Sequence, residues 1–377
     1  MTHSLFRLFS FISLLLSLST PCVAKLKVLH LGYHYGIEDV FRNVAKELDV
    51  ELTSWVIGAL PDFFFDPLIE KSNSPVLYNI GHDRADRIWK KHADFFNSFD
   101  VVVTSDTAVL ARIFLQNPFK KNLIIWICNR FDFSAPDFLD CQFPDAEFYE
   151  LFRNAKNNKK VTFINFTPIE SIHACFKGVD TSDLVIKPYG ASLEKKGHTL
   201  IPSNINKSST FFIPDYYNNI KRSHNRFGFN LSEVCSRLNI PYYCGKYNGP
   251  KDLEDFKGII HIPYAFSTTS QFENFELGIV HFIPSKSLFN LLRKSDKFFF
   301  ASDYLLDHHL DLVEFYCAEV EPHIVYFNSW KDLASKITSI DYEEKREEII
   351  AFAKLQKETM IKRWKTVFSK IKKEITL

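Results

Sequence analysis

The chain has almost no net charge: 46 Lys and Arg against 45 Asp and Glu leave +1 at neutral pH. That balance gives no electrostatic reason to hold nucleic acid. A CxxC pair is missing, and so is any His/Cys spacing suited to zinc, so no metal site is expected. Internal repeats and low-complexity tracts are also absent. Past residue 24, no segment approaches the ~20 apolar residues that span a membrane. Glycine is scarce at 12 residues while phenylalanine reaches 38, a composition of cores rather than of a site. At 46% hydrophobic and 24% charged, 377 residues suffice for two globular domains of roughly 150–200 residues each.

The amino terminus stands apart from this pattern. One basic residue, Arg7, precedes an apolar run from Leu8 to Leu18, and Pro21-Cys22-Val23-Ala24 leads to Lys25. Small residues three and one before Lys25 suit signal peptidase, so residues 1–24 read as a cleaved secretory signal. The other reading is an uncleaved anchor giving membrane association through residues 5–18. Either places the chain in a secretory compartment: the ER or Golgi lumen, the exterior, or a bacterial periplasm. Without Cys22 six cysteines remain (128, 141, 175, 235, 244 and 317), an even number that permits disulfides. Cys128 lies in an apolar strand and reads as a core thiol. Asn165, Asn206 and Asn230 each begin a glycosylation sequon.

Strand and helix patterns then alternate. LKVLHLG opens residues 25–190 as a strand, and Val40, Phe41, Val44, Ala45 and Leu48 mark one face of the first helix. Short apolar runs recur at 51–57, 101–106, 122–128, 161–166 and 184–187, with helical stretches between them. Residues 191–209 are polar and aperiodic, a linker. Alternation restarts over 210–341, with strands expected at 210–214, 241–244, 259–263, 297–301 and 324–327. Residues 342–377 read as one long basic amphipathic helix or a kinked pair, whose interspersed acids mark a solvated face. The fold class is α/β: two doubly wound, Rossmann-like parallel-sheet domains facing across a cleft, with ligands at the carboxyl ends of strands.

Candidate chemistry is therefore sought just after strands. His34 follows the first, and a neutral imidazole there could take a proton from an acceptor hydroxyl. Asp83 and Asp106 are the other candidate bases. Arg130 could clamp a carboxylate or phosphate, or pair with Asp132. In the second half, Lys221, Arg222 and Lys246 lie where a pyrophosphate would be neutralised. The stretch Ile262–Ser285 carries the strongest signal. A strand end is followed by the hydroxyl-rich turn Ser267-Thr268-Thr269-Ser270, a short helix with Glu273, then Gly278 and a second strand. Free amides and the positive dipole end of a helix favour an anion, and the hydroxyls add donors.

Pro263, Glu273, Gly278 and Pro284-Ser285, with five residues from Glu273 to Gly278, resemble the nucleotide-sugar-binding domain of GT-B glycosyltransferases. The resemblance implies that Glu273 binds the ribose hydroxyls, that the turn Ser267, Thr268, Thr269 and Ser270 meets the phosphates, and that the closing helix crosses back to the first domain. Retaining members carry a second glutamate eight positions earlier, where this chain has Ala265. That departure favours an inverting reaction with a base from the first domain, in the manner of fucosyltransferases. The expected function is transfer of a hexosyl or fucosyl group from a nucleotide-sugar donor to a glycan, glycoprotein or glycolipid acceptor. No cofactor or metal is expected. The competing readings are a secreted two-lobed solute-binding protein and a GT-B protein without catalysis.

Overall fold

The structure is a computed structural model that describes residues 25–56, 80–129, 131–132, 145–190, 199–214, 230–296 and 303–376. The first domain opens with β1 (Lys27–Gly32), buried at every position after Lys27. A strand covered on both faces needs such a continuous apolar run. Next, α1 (Tyr35–Leu48) buries Ile37, Val40, Phe41, Val44, Ala45 and Leu48, the spacing of one helical face. Then come β2 (Glu51–Val56), α2 (His82–Asn97), β3 (Val101–Asp106) and a 3-10 turn running into α3 (Arg112–Leu115). The domain ends with β4 (Asn122–Ile127), α4 (Ala146–Ala155), β5 (Val161–Asn165), α5 (Pro168–Phe176) and β6 (Leu184–Val185).

The second domain runs β7 (Phe211–Pro214), α6 (Leu231–Arg237), β8 (Tyr242–Gly245), β9 (Gly258–Ile260) and α7 (Thr269–Glu276). It continues with β10 (His281–Pro284), α8 (Lys286–Asp296), α9 (Asp303–His309), β11 (Val325–Phe327), α10 (Trp330–Ser339) and α11 (Tyr342–Thr376).

Every strand pair is parallel. The sheets are ordered β2-β1-β3-β4-β5-β6 and β11-β10-β9-β7-β8. Read from its own first strand, the first sheet follows the order 2-1-3-4-5-6 and the second 2-1-3-4-5, so the direction of strand addition reverses between β1 and β3 in one domain and between β7 and β9 in the other. Open α/β sheets bind ligands outside the carboxyl ends at that reversal.

Uninterrupted by Pro or Gly, α11 is one helix. Its first half joins the second domain's core through Ile349 and Ala353. Met360, Trp364, Val367, Phe368 and Ile371 join the first domain's core. Trp364 meets Phe41 and Trp126 edge-on, at 5.5 and 5.2 Å between ring centres. The helix crosses back between domains, as the resemblance implies.

Some local expectations are corrected. A 3-10 turn, Pro250–Asp252, precedes β9, and the strand expected at 297–301 lies outside the described residues. Its capping signature went unread, so α10 is unforeseen: Ser329 Oγ accepts from the Asp332 N–H at 3.1 Å. Cys128, Cys175, Cys235, Cys244 and Cys317 are all free thiols, while Cys141 lies outside the described residues. Asn165 is fully buried and donates to the Thr181 carbonyl at 2.6 Å, so that sequon is closed to a glycan in the folded chain.

Candidate functional site

At the first reversal, the ends of β1 and β3 deliver His34 and Asp106. His30, one turn of the pleat below, fastens three strands: its Nδ1 meets Ser54 Oγ at 2.9 Å and its Nε2 meets Ser105 Oγ at 2.8 Å. Burial, with Arg42 nearby, lowers its pKa to about 3, so the ring is a neutral core group. Asp106 ends β3 at φ 80°, a region sparsely populated by non-glycine residues. Its carbonyl accepts from the Cys128 and Asn129 N–H groups at 2.7 and 3.0 Å, which holds the turn against β4.

His34 caps α1: its Nδ1 accepts from the Gly36 N–H at 3.1 Å. A neutral imidazole has one donor and one acceptor nitrogen, so Nε2 carries the proton. In this arrangement the exposed nitrogen donates. The first turn of α1 also meets the second domain. A Cβ on Gly36 would stand 3.1 Å from Thr269 Oγ1 and 3.1 Å from His34 Nδ1. The amino ends of α1 and α7, one from each domain, therefore converge.

Two positive dipole ends repel unless an anion lies between them. The start of α1 carries Glu38 in its first turn and the His34 cap. By contrast, α7 has no acid in its first turn and no side-chain hydrogen bond at its cap, Thr268. Its amide groups are thus left to a ligand or solvent.

The second reversal, between β7 and β9, opens into a small pocket with a cavity volume of about 20 Å³. Pro214, Tyr247, His261, Tyr264, Thr268 and Ser270 are among its lining residues. The hydroxyl-rich turn therefore divides, with Thr268 and Ser270 at the pocket and Thr269 at α1. Deeper in, Asn274 Nδ2 lies 3.2 Å from His281 Nε2. Burial lowers the His281 pKa to about 3, so the ring is neutral. Lys246 follows β8 and is exposed.

Thr269, Glu273 and Glu276 are spaced to share one stripe of α7. Thr269 touches the first domain, and Glu276 packs over Gly190, whose Cβ would stand 2.6 Å from the Glu276 carboxyl carbon. Lys357 reaches Glu276 Oε1 at 3.3 Å. Glu273 lies between these interdomain contacts. Gly278, the other fixed point of the motif, sits at φ 66° with the Arg346 carbonyl 3.0 Å from where a Cβ would be. It ends α7 and lets α11 approach, a structural task.

Below the cleft the domains meet through buried charge. Thr167 and Glu170 form a capping box at the start of α5, with Glu170 Oε2 accepting from the Thr167 N–H at 2.8 Å. Ile169 beside it packs in the second domain's core. Glu314 comes from the opposite domain and meets Lys187 Nζ at 3.3 Å. Both carboxyls are fully buried, and Glu170 Oε1 and Glu314 Oε2 have no hydrogen-bond partner. Burial, and further off the charge of Glu314, raise the Glu170 pKa to about 8. Burial raises Glu314 as well, against the pull of Lys187.

Of the residues singled out from the sequence, His34, Asp106 and Thr269 lie at the facing strand ends, and Thr268 at the second pocket. Ser267 is half-buried just ahead of them. Asp83 is exposed in the first turn of α2, after edge strand β2, and no described hydrogen bond or ion pair ties it to His34 or α7. Arg130 and Arg222 lie outside the described residues. Asp132 accepts from Tyr149 and meets His173, at 2.6 and 2.8 Å. Burial raises its carboxyl, but those hydrogen bonds and the His173 charge outweigh that and leave it below its usual value. Missed were Tyr247 and Tyr264, which the strand-end rule could have found, and the two buried acids Glu170 and Glu314, for which only the Thr167-x-x-Glu170 capping signature was readable. Among the described residues, no three His, Cys, Asp or Glu side chains gather as metal ligands.

No protein-family model matches the chain, and no curated protein sequence matches it. Solved structures do. A glycosyltransferase from Rickettsia africae is 12% identical, over 92% of this chain and 98% of its own, with a TM-score of 0.49. The glycosyltransferase SnogD of Streptomyces nogalater is 9% identical, over 90% and 98%, at 0.44. The UDP-GlcNAc 2-epimerase of Neisseria meningitidis, bound to UDP-GlcNAc, is 12% identical, over 89% and 100%, at 0.42.

Proposed function

We propose that the chain transfers a sugar from a nucleotide-sugar donor to an acceptor hydroxyl, with the donor on the second domain. One observation carries the reading: the amino ends of α1 and α7 meet at Gly36 and Thr269, between the two sheet reversals. A diphosphate there would satisfy the uncapped α7 amides and relieve the repulsion of the two dipole ends. The aromatic and hydroxyl groups beside it, Tyr247, Tyr264, Thr268 and Ser270, mark the strand-end surface on which the nucleoside would lie. Holding the leaving diphosphate on fixed amides lowers the barrier where charge develops.

The proton of the acceptor hydroxyl goes to Asp106 in this reading. His34 already uses Nδ1 for its cap, and its Nε2–H is set to donate to an acceptor or phosphate oxygen. Inversion and independence from metal are part of the proposal, as are Glu273 at the ribose and Lys246 near the diphosphate. The test is screening GDP, UDP and CMP, alone and as sugar conjugates, for thermal stabilisation and then for transfer. The occupied His34 Nδ1 favours a second reading, a nucleotide-sugar-binding protein without catalysis. Stabilisation by a nucleotide with neither transfer nor donor hydrolysis would select it.

A further inference from the structure

The chain passes between the domains after β6 and again along α11, and the two crossings are tied to each other. Gln356 Nε2 donates to the Pro188 carbonyl at 2.9 Å, and Arg363 Nη1 to the Val185 carbonyl at 2.6 Å. Lys187 lies between those two anchor points, and its ammonium reaches into the second domain. It meets Glu314 Oε1 at 3.3 Å, Glu319 Oε2 at 3.0 Å and Cys317 Sγ at 3.3 Å. Glu170 arrives from the first domain on α5, where Ile169 packs in the second domain's core. The buried junction therefore sits beside the pivot about which the domains would turn.

Its charges do not balance. Glu170 and Glu314 are fully buried, one from each domain, and each keeps a carboxylate oxygen without a partner. Lys187 stands against them and divides its ammonium with Glu319, whose side chain is 68% exposed. The remaining ionisable groups nearby leave that imbalance in place. The Thr167 N–H and hydroxyl both donate to Glu170 Oε2. Burial holds the Cys128 thiol well above its usual range, with Asp106 beyond it, and pushes the Cys317 thiol up to about 12. His173 and Lys177, further along α5, meet Asp132 at 2.8 and 3.7 Å. On α9, which packs against α5, Asp307 is taken by Arg293 and Lys294, with His308 exposed and His309 half-buried. One buried acid can ionise beside Lys187, and the other must keep its proton or reach water.

We propose that this junction is a proton-held latch on the cleft: Glu170 carries a proton while the domains are closed, and its loss lets them part about the tied crossings. Parting exposes Ile169 but hydrates both carboxylates, and it leaves each domain its own core. It also draws α1 away from α7, so the closed form that brings Gly36 to Thr269 belongs to the lower pH. Burial raises the Glu170 pKa from 4.5 to about 8, so closure is favoured below that pH and is lost above it.

The test is small-angle X-ray scattering of the full chain without ligand, so its outcome is independent of which nucleotide the cleft takes. Below pH 7 the radius of gyration should be about 21 Å, as for a compact chain of this length, and by pH 9.5 it should rise by roughly 1 Å. Far-UV circular dichroism should stay unchanged across that range. Glu170→Gln should hold the lower radius throughout. So should Glu314→Gln, because Lys187 then serves the one remaining acid; either variant decides the test if the other fails to fold. A flat radius in the wild type, an undiminished rise in a folded variant, or a rise that coincides with lost helix signal overturns the proposal.

Discussion

The two domains touch in two unlike ways, at the mouth of the cleft and beneath it. At the mouth, His34, Gly36 and Thr269 bring two helix starts together with exposed or half-buried polar groups. Beneath, Glu170 and Glu314 are sealed from water beside a largely buried Lys187, and two carboxylate oxygens have no partner. Polar groups at the mouth remain available to a ligand. Of those beneath, Glu170 answers to Thr167 and Glu314 to Lys187, which also reaches Glu319 at 3.0 Å, so their charge state bears on how firmly the domains hold together. The contrast separates a binding junction from a structural one, although both carry ionisable residues.

The largest effect is expected beneath the cleft. Lys187→Met removes the cation beside a fully buried Glu314 and should cost about 3–5 kcal/mol, read by chemical denaturation. A loss below about 1 kcal/mol would mean the pair is solvated and the contrast misplaced. Trp364→Ala should cost a similar 3–5 kcal/mol, because it empties the contact of α11 with Phe41 and Trp126.

The proton balance beneath the cleft gives a prediction with a definite sign. Burial raises the Glu170 pKa from 4.5 to about 8, so its contribution is present below about pH 4.5 and is lost as pH rises through 8. His30, His261 and His281 are depressed to about 3, so theirs is present above 6.5 and lost as pH falls toward 3. Glu170→Gln should therefore flatten the alkaline decline in melting temperature and leave the acid decline in place. Parallel wild-type and variant curves between pH 6 and 9 would show that Glu170 does not titrate there.

At the mouth, the effects fall on turnover rather than on stability. Asp106→Asn should lower kcat by roughly 10²–10⁴-fold as the loss of a general base, and Asn tolerates the positive φ. His34→Ala should lower kcat/KM by about tenfold, the worth of one donor. A reversed order of these two effects would return the base role to His34.

Much of the fold was legible because parallel strands buried on both faces print themselves as apolar runs, as in VVVTSD at 101–106 and NLIIWI at 122–127. The crossing of α11 was visible in its length, but Trp364 as the residue that plugs it into the first domain was not. A helix's sequence shows which face is apolar, not which body that face meets. His34 and Thr269 were found because strand ends are where ligands bind. Their contact was not, because it depends on how two domains dock, which no local spacing encodes. The same reason hid Glu170 and Glu314, which lie far apart in sequence and are ordinary acids when read singly.

The central claim is that the meeting of α1 and α7 binds a diphosphate. Its most direct measurement is the thermal shift produced by UDP and GDP in the wild type and in Thr269→Glu. A carboxylate within about 4 Å of a phosphate should weaken binding by more than tenfold at an intermediate dielectric. The account predicts that at least one nucleoside diphosphate stabilises the wild type and that Thr269→Glu abolishes the shift with the fold intact. A shift of equal size in the variant, or none from any nucleotide in the wild type, would contradict it.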